Sequence, residues 1–203
     1  MKRLALVLLL SAISISATSA CAQQFDVAVG VSGLKSAPAS DALLDLDHSP
    51  QSVGGGAFPV ISGDFLFKHQ FGVGGEVFWR ATRNLYQAFS AQQPFRPVFY
   101  DFNAVWAPKL GKQAAAQLEG GIGAESARFY TPFVTCNFVS CTNFVSSNHF
   151  MAHLGGGLKI YIWHNVFLRP EAHYYFIHDN SEFSGNNAIR VGASIGYTWR
   201  SEY

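Results

Sequence analysis

The sequence predicts an all-β fold: an eight-stranded antiparallel transmembrane β-barrel with short periplasmic turns and long extracellular loops. Three observations predict it. Hydrophobicity alternates residue by residue in eight separate runs, and side chains on a strand point to opposite faces with period two. The runs hold about 10 residues or more, against about 5–6 for ordinary strands and about 9–11 for membrane-crossing ones. The connections between them alternate long and short, as in barrels with turns at one rim and loops at the other.

The chain opens with an export signal. Lys2 and Arg3 precede an apolar segment over 4–10, small residues follow, and Ala20-Cys21-Ala22 forms an A-x-A cleavage site. Residues 1–22 are therefore expected to be a signal peptide and 23–203 the barrel domain. A lipid anchor on Cys21 is the alternative, but Thr18 stands where such sites carry leucine. Without Lys2 and Arg3 the chain has 12 basic and 13 acidic residues. That balance gives no field for nucleic acid. Hydrophobic residues make up 49% and charged residues 13%, about half the charge of an ordinary globular domain, where the figure is about 25%. Past the signal, no apolar run reaches the ~18 residues of a spanning helix.

The first run, 25–33, sets Phe25, Val27, Val29 and Val31 against Asp26, Ala28 and Gly30. A polar segment over 34–56 separates it from the second, 59–68, where Ile61, Phe65 and Phe67 oppose Ser62, Asp64 and Lys68. After the joint His69-Gln70 comes the third, 71–80: Phe71, Val73, Val77 and Trp79 against Glu76 and Arg80. A loop over 81–95 leads to the fourth, 96–107, with Val98, Tyr100, Phe102 and Trp106 against Asp101 and Asn103. The fifth, 114–129, follows a joint at Gly111-Lys112 and sets Leu118 and Ile122 against Gln117, Glu119 and Glu125. A loop over 131–148 precedes the sixth, 150–163, in which Leu154, Leu158 and Ile160 oppose His153 and Lys159. His164-Asn165 joins it to the seventh, where Leu168, Ala172, Tyr174 and Phe176 oppose Arg169, Glu171 and His173. The loop 179–187 leads to the eighth, 188–200, with Ile189, Val191, Ile195, Tyr197 and Trp199 against Arg190 and Ser194.

An even strand number lets the first run pair with the last, and hydrocarbon demands that closure because it offers no partner to a free backbone group. The apolar parity is assigned to lipid, with Phe25, Phe71, Trp79, Trp106, Tyr197 and Trp199 as interfacial girdles. The other parity is assigned to the interior. There Asp64, Glu76, Arg80, Asp101, Glu119, Glu125, Lys159, Arg169, Glu171 and Arg190 are expected to form one polar network. Mixed signs in so narrow a lumen favour salt bridges over an open channel. Inward glycines such as Gly121, Gly155 and Gly157 make room for the long side chains. Pro170 cannot donate to the ladder, so a bulge or a rim position is expected there.

Cys136 and Cys141 sit in CNFVSC and are expected to form a loop disulfide, given an oxidising compartment. A zinc site adding His149 and His153 is the sharper alternative, but the gap from Cys141 to His149 is short for it. His178 and Ser181 invite a hydrolase reading; the lipid A deacylases carry His-x-Ser, whereas this spacing is His-x-x-Ser. The glycine-rich GGIG and LGGGLK lack the Lys-Ser/Thr of a phosphate-cradling loop. No catalytic residue, metal or cofactor is expected.

The signal, the eight runs, the loop alternation and the ending IGYTWRSEY resemble the small outer-membrane β-barrel family, which includes the opacity-protein-like and OmpA-type transmembrane domains. The resemblance implies insertion in a bacterial outer membrane, contact with its lipid and lipopolysaccharide, and recognition of terminal Tyr203 by the barrel-assembly machinery. It does not imply one activity. The long loops favour a non-enzymatic structural or adhesin-like role with an extracellular ligand. A lipid A-modifying hydrolase and a narrow pore are the alternatives. A lipocalin-like soluble barrel would reverse the two faces.

Overall fold

The computed structural model describes residues 24–36, 51–67, 70–88, 91–136 and 141–200. The signal segment, the loop 37–50, Lys68, His69 and Tyr203 lie outside the described residues. Among the described residues nine strands follow one another: β1 (Gln24–Ser36), β2 (Ala57–Phe67), β3 (Phe71–Trp79), β4 (Asn84–Ala88), β5 (Ala91–Trp106), β6 (Ala114–Cys136), β7 (Cys141–Trp163), β8 (Val166–Ile177) and β9 (Asn187–Arg200). All pairings are antiparallel. β1 pairs with both β2 and β9, and β3 pairs with both β2 and β5, so the sheet closes into a ring. β4 pairs with β5 alone and is bypassed by the closure.

Two predicted loops are corrected. The connection expected over 81–95 carries β4 and the first residues of β5. The loop expected over 131–148 is largely the far ends of β6 and β7, each 23 residues long. Thr131, Phe133, Val134, Thr142, Phe144 and Val145 are strong strand formers. They show no apolar/polar alternation because both faces of this segment are open: Phe133 is 78% exposed and its neighbour Val134 64%.

The two faces are sharply divided. Phe102, Leu154, Ile122, Tyr174 and Ile160 are exposed outside, whereas Arg190, Lys159, Arg169 and Glu171 are buried within. This is the reverse of a soluble barrel. Aromatics ring the short-turn end: Phe25 packs on Trp199 (5.7 Å), Trp199 on Tyr197 (4.7 Å) and Phe71 on Trp106 (6.1 Å). Trp79 stands at the opposite end of its strand.

The interior has two layers, where the sequence predicts one. The half nearest the short turns is mainly ionic, with a small apolar patch of Leu66, Val105 and Ala107 against the turns. The half nearest the long connections is apolar, built on Phe58, Val60, Phe78, Phe99, Met151, Tyr175 and Ile177. Val53 and Phe183, from two of the long connections, close its mouth.

Pro170 lies in β8 and faces outward. There is no bulge beside it. The β7–β8 ladder skips Leu158 and Lys159 opposite Arg169 and Pro170, then resumes in the same register at Ile160 and Leu168. The register shift falls instead between Tyr161 and Trp163, next to the turn.

Candidate functional site

Three buried cations organise the ionic half. Lys159 contacts the Asp26 carboxylate and stands 3.7 Å from Asp64. Arg169 reaches Asp64 (3.3 Å), Glu119 (3.8 Å) and Glu171 (2.7 Å). It also donates to the Ser62 hydroxyl at 2.8 Å. Arg190 pairs with Glu76 (2.6 Å) and Glu171 (3.3 Å). Glu171 thus bridges the two arginines. Gln117 donates to Asp64 and to Glu119. Asn103 donates to Asp101 (2.9 Å), and its carbonyl oxygen meets His153 Nε2 at 2.6 Å. Strand parity explains the convergence, since these residues all stand on the inward face of their strands. Pairing with opposite charge offsets the cost of burying these groups.

Of the ten residues predicted to share one network, eight stand together: Asp64, Glu76, Asp101, Glu119, Lys159, Arg169, Glu171 and Arg190. Arg80 does not join them. It lies past the end of β3 at the opposite rim, its guanidinium 5.9 Å from the Phe95 ring centroid. Glu125 is also separate: it is fully buried, and among the described residues neither carboxylate oxygen has a hydrogen-bond partner. The apolar layer divides both from the lattice. Inward parity alone does not say at which height a side chain stands.

Arg190 joins the two layers. Its guanidinium lies 4.6 Å from the Phe78 ring centroid while pairing with Glu76. Beside it, His153, His173 and Tyr175 stack, with the His153 and Tyr175 rings 5.1 Å apart. Gly155 permits this: a Cβ there would meet His173 Cγ at 2.5 Å. Gly155→Val is therefore expected to destabilise the barrel by about 1–3 kcal/mol through overpacking. His173→Ala in the same chain should restore part of the loss in a urea titration.

One polar cluster had no signal in residue spacing. Ser147 donates to Glu182, and Glu182 lies 2.9 Å from His149 Nε2. Ser147 Oγ is also 3.1 Å from that same nitrogen. A relay needs the serine and the carboxylate on opposite ring nitrogens. With both on one nitrogen, the cluster ties β7 to the connection after β8. The pair weighed for the alternative hydrolase reading, His178 and Ser181, does not assemble. The Ser181 hydroxyl turns to Glu182 (3.5 Å), and among the described residues His178 makes no side-chain hydrogen bond or ion pair.

Beyond Phe129, β6 no longer pairs with β5, and before Met151, β7 does not pair with β8. The two strands continue as a two-stranded ribbon, whose base is still held by Glu182 through Ser147 and His149 and by Arg83 over Tyr130. Cys136 and Cys141 are joined by a disulfide near its tip, with Cα atoms 4.0 Å apart. His149 and His153 are engaged elsewhere, so the zinc set does not converge.

No protein-family model matches the chain, and no curated protein sequence matches it. Solved structures do. Neisserial surface protein A aligns over 87% of this chain and 97% of its own at 12% identity, with a TM-score of 0.58. A major outer membrane protein of Thermus thermophilus covers 87% and 99% at 12% identity, TM-score 0.57. Ail, the attachment invasion locus protein of Yersinia pestis, solved in complex with the heparin analogue sucrose octasulfate, covers 88% and 99% at 14% identity, TM-score 0.54. The fold is that of the small outer-membrane β-barrels. Within that fold the closed ring, the apolar exterior and the filled lumen fall into place together: an apolar outer wall suits lipid, and a ring of this size is filled by its own side chains.

Proposed function

We propose that this protein is an integral barrel of a bacterial outer membrane that acts without catalysis, displaying its long connections, and above all the β6–β7 ribbon, for contact with an extracellular surface or ligand. Residues 1–22 serve as the export signal and 23–203 as the barrel. The short turns lie on the periplasmic side, the long connections outside. Lipid and lipopolysaccharide surround the wall, and the barrel-assembly machinery inserts the chain.

The observation that carries this reading is the ribbon. It extends past the ladders of β5 and β8 and exposes Phe133, Val134 and Val145, an apolar surface that a monomer gains nothing by showing to water. A disulfide ties its tip, which limits the entropy lost when a partner orders it. The likeness to an attachment protein crystallised with a heparin analogue supports a surface-contact role. Against a pore stand the lumen-filling Arg169, Arg190, Phe78 and Phe99, all buried.

Replacing residues 131–146 by a two-residue turn tests the reading. The shortened chain is expected to keep its heat-modifiable gel mobility and lose adhesion to host cells or matrix. Adhesion equal to that of the full chain would sink it.

A further inference from the structure

Arg96 and Arg128 are direct cross-strand partners on β5 and β6. Both share the outward parity of Val98 and Ala124. Two like charges directly opposite destabilise a sheet unless something neutralises them. A third cation joins them. The Arg83 guanidinium lies 3.6 Å from the Tyr130 ring centroid, and that of Arg128 lies 5.0 Å from Phe144. Tyr130 and Phe144 are themselves cross-strand partners, with rings 5.8 Å apart. Two guanidinium groups thus share one aromatic floor, and Arg96 stands beside them as the cross-strand partner of Arg128. Among the described residues no carboxylate pairs with any of the three. Among the described residues the buried Nε groups of Arg96 and Arg128 have no hydrogen-bond partner, and the donation from Arg96 to the Ala81 carbonyl (3.1 Å) is its sole side-chain hydrogen bond.

Further toward the short turns, on the same strands, the outer wall is hollowed. A groove of about 610 Å³ is walled by Phe102, Ile122, Leu154 and Tyr174 and floored by Ala104 and Gly120. Phe102 pairs with Ile122 and Ala104 with Gly120, in the same register that pairs Arg96 with Arg128. The groove begins six residues along each strand from the arginines, about 20 Å at ~3.4 Å per residue. Between them the wall carries Ala124, a small residue flanked by its outward-facing cross-strand partners Tyr100 and Phe150.

We infer that this wall holds a phosphorylated glycolipid of the surrounding leaflet, with its phosphate on Arg83, Arg96 and Arg128 and an acyl chain in the groove. The inference rests on the outer-membrane reading above and adds a ligand to it. Guanidinium groups match phosphate oxygens through paired N–H donors. A soluble anion would satisfy the arginines and leave the groove without purpose. A neutral lipid would do the opposite. One amphiphile with a charged head and an acyl tail satisfies both at the observed separation.

The test measures lipid retained by the full chain in native mass spectrometry, after folding into phosphatidylcholine vesicles doped with bisphosphorylated lipid A, with the phosphate-free form, or with inorganic pyrophosphate added. Lipid A should be retained at least about tenfold over the phosphate-free form, as expected for charge-assisted hydrogen bonds. Arg96→Gln with Arg128→Gln should remove that preference. Ala104→Phe, which fills the groove, should lower retention, while Lys112→Gln at the opposite rim should not. Equal retention of the two lipids, an unchanged double variant, or pyrophosphate binding as strong as that of lipid A would overturn the inference. Failure of the native chain to insert into vesicles would remove the membrane reading itself. Insertion with normal heat-modifiable mobility but no lipid preference would remove the inference alone.

Discussion

Arg190→Ala is expected to destabilise the barrel by about 3–5 kcal/mol, the usual cost of leaving one side of a buried ion pair uncompensated. Arg190 is fully buried and neutralises Glu76 at 2.6 Å and Glu171 at 3.3 Å. Without it, among the described residues, the Glu76 carboxylate keeps only a long contact, the 3.5 Å hydrogen bond from the Tyr175 hydroxyl. Glu171 would still hold Arg169, so Glu76 bears most of the loss. The side chain also packs on Phe78, which truncation would forfeit as well. Two further variants separate charge from packing. Arg190→Met keeps the bulk and removes the cation, so it should remain severely destabilised. Adding Glu76→Gln to Arg190→Met should recover a large part of the loss. Urea titrations followed by the heat-modifiable gel band provide the measurement. A loss below about 1 kcal/mol for Arg190→Ala would place the pair in the range of a solvent-screened surface bridge, and the account of a dry ionic lattice would fail.

The ring itself was legible because an apolar outer wall around a polar lumen makes the period-two signal strong. Val29, Val31, Ile61, Val73, Phe102, Leu154, Leu168 and Ile195 all face outward, as alternation requires. The division within the lumen was not legible. Phe78 has the parity of Glu76, and Phe99 that of Asp101. Alternation reports which face a residue takes and nothing of its height along the barrel axis. Height follows from strand stagger, which only the pairing registers define. For the same reason Arg80 and Glu125 looked like members of the lattice and stand apart from it. The ribbon escaped for a different cause: where both faces meet water, neither parity is selected for apolarity, and Thr131 to Cys136 resembles a loop in pattern while having strand composition. The facing of Arg96 toward Arg128 likewise needs the β5–β6 register, because 32 positions of sequence separate them.

The aromatic layer should matter as much as the ionic one. Phe78 and Phe99 are fully buried and stack with centroids 4.5 Å apart and planes 6° from parallel. Phe58 closes on both at 6.3 Å, and Tyr175 lies 5.4 Å from Phe78. Phe99→Ala is expected to cost about 3–5 kcal/mol, transfer and cavity terms together. Phe99→Leu keeps an apolar side chain of similar volume and should cost much less, under about 1.5 kcal/mol. The pair also separates the outer mouth from the ionic half. Arg190 rests against Phe78 on the side toward Glu76, so removing both rings would let water reach the lattice from outside. The native chain is therefore expected to show no conductance steps in planar bilayers, and Phe78→Ala with Phe99→Ala to show small ones in the protein that still folds. Both readouts are needed, since loss of stability alone would follow from any core truncation. Steps of equal size in the native and doubly substituted proteins would mean that ions bypass the rings, and the aromatic layer would then be packing without being a seal.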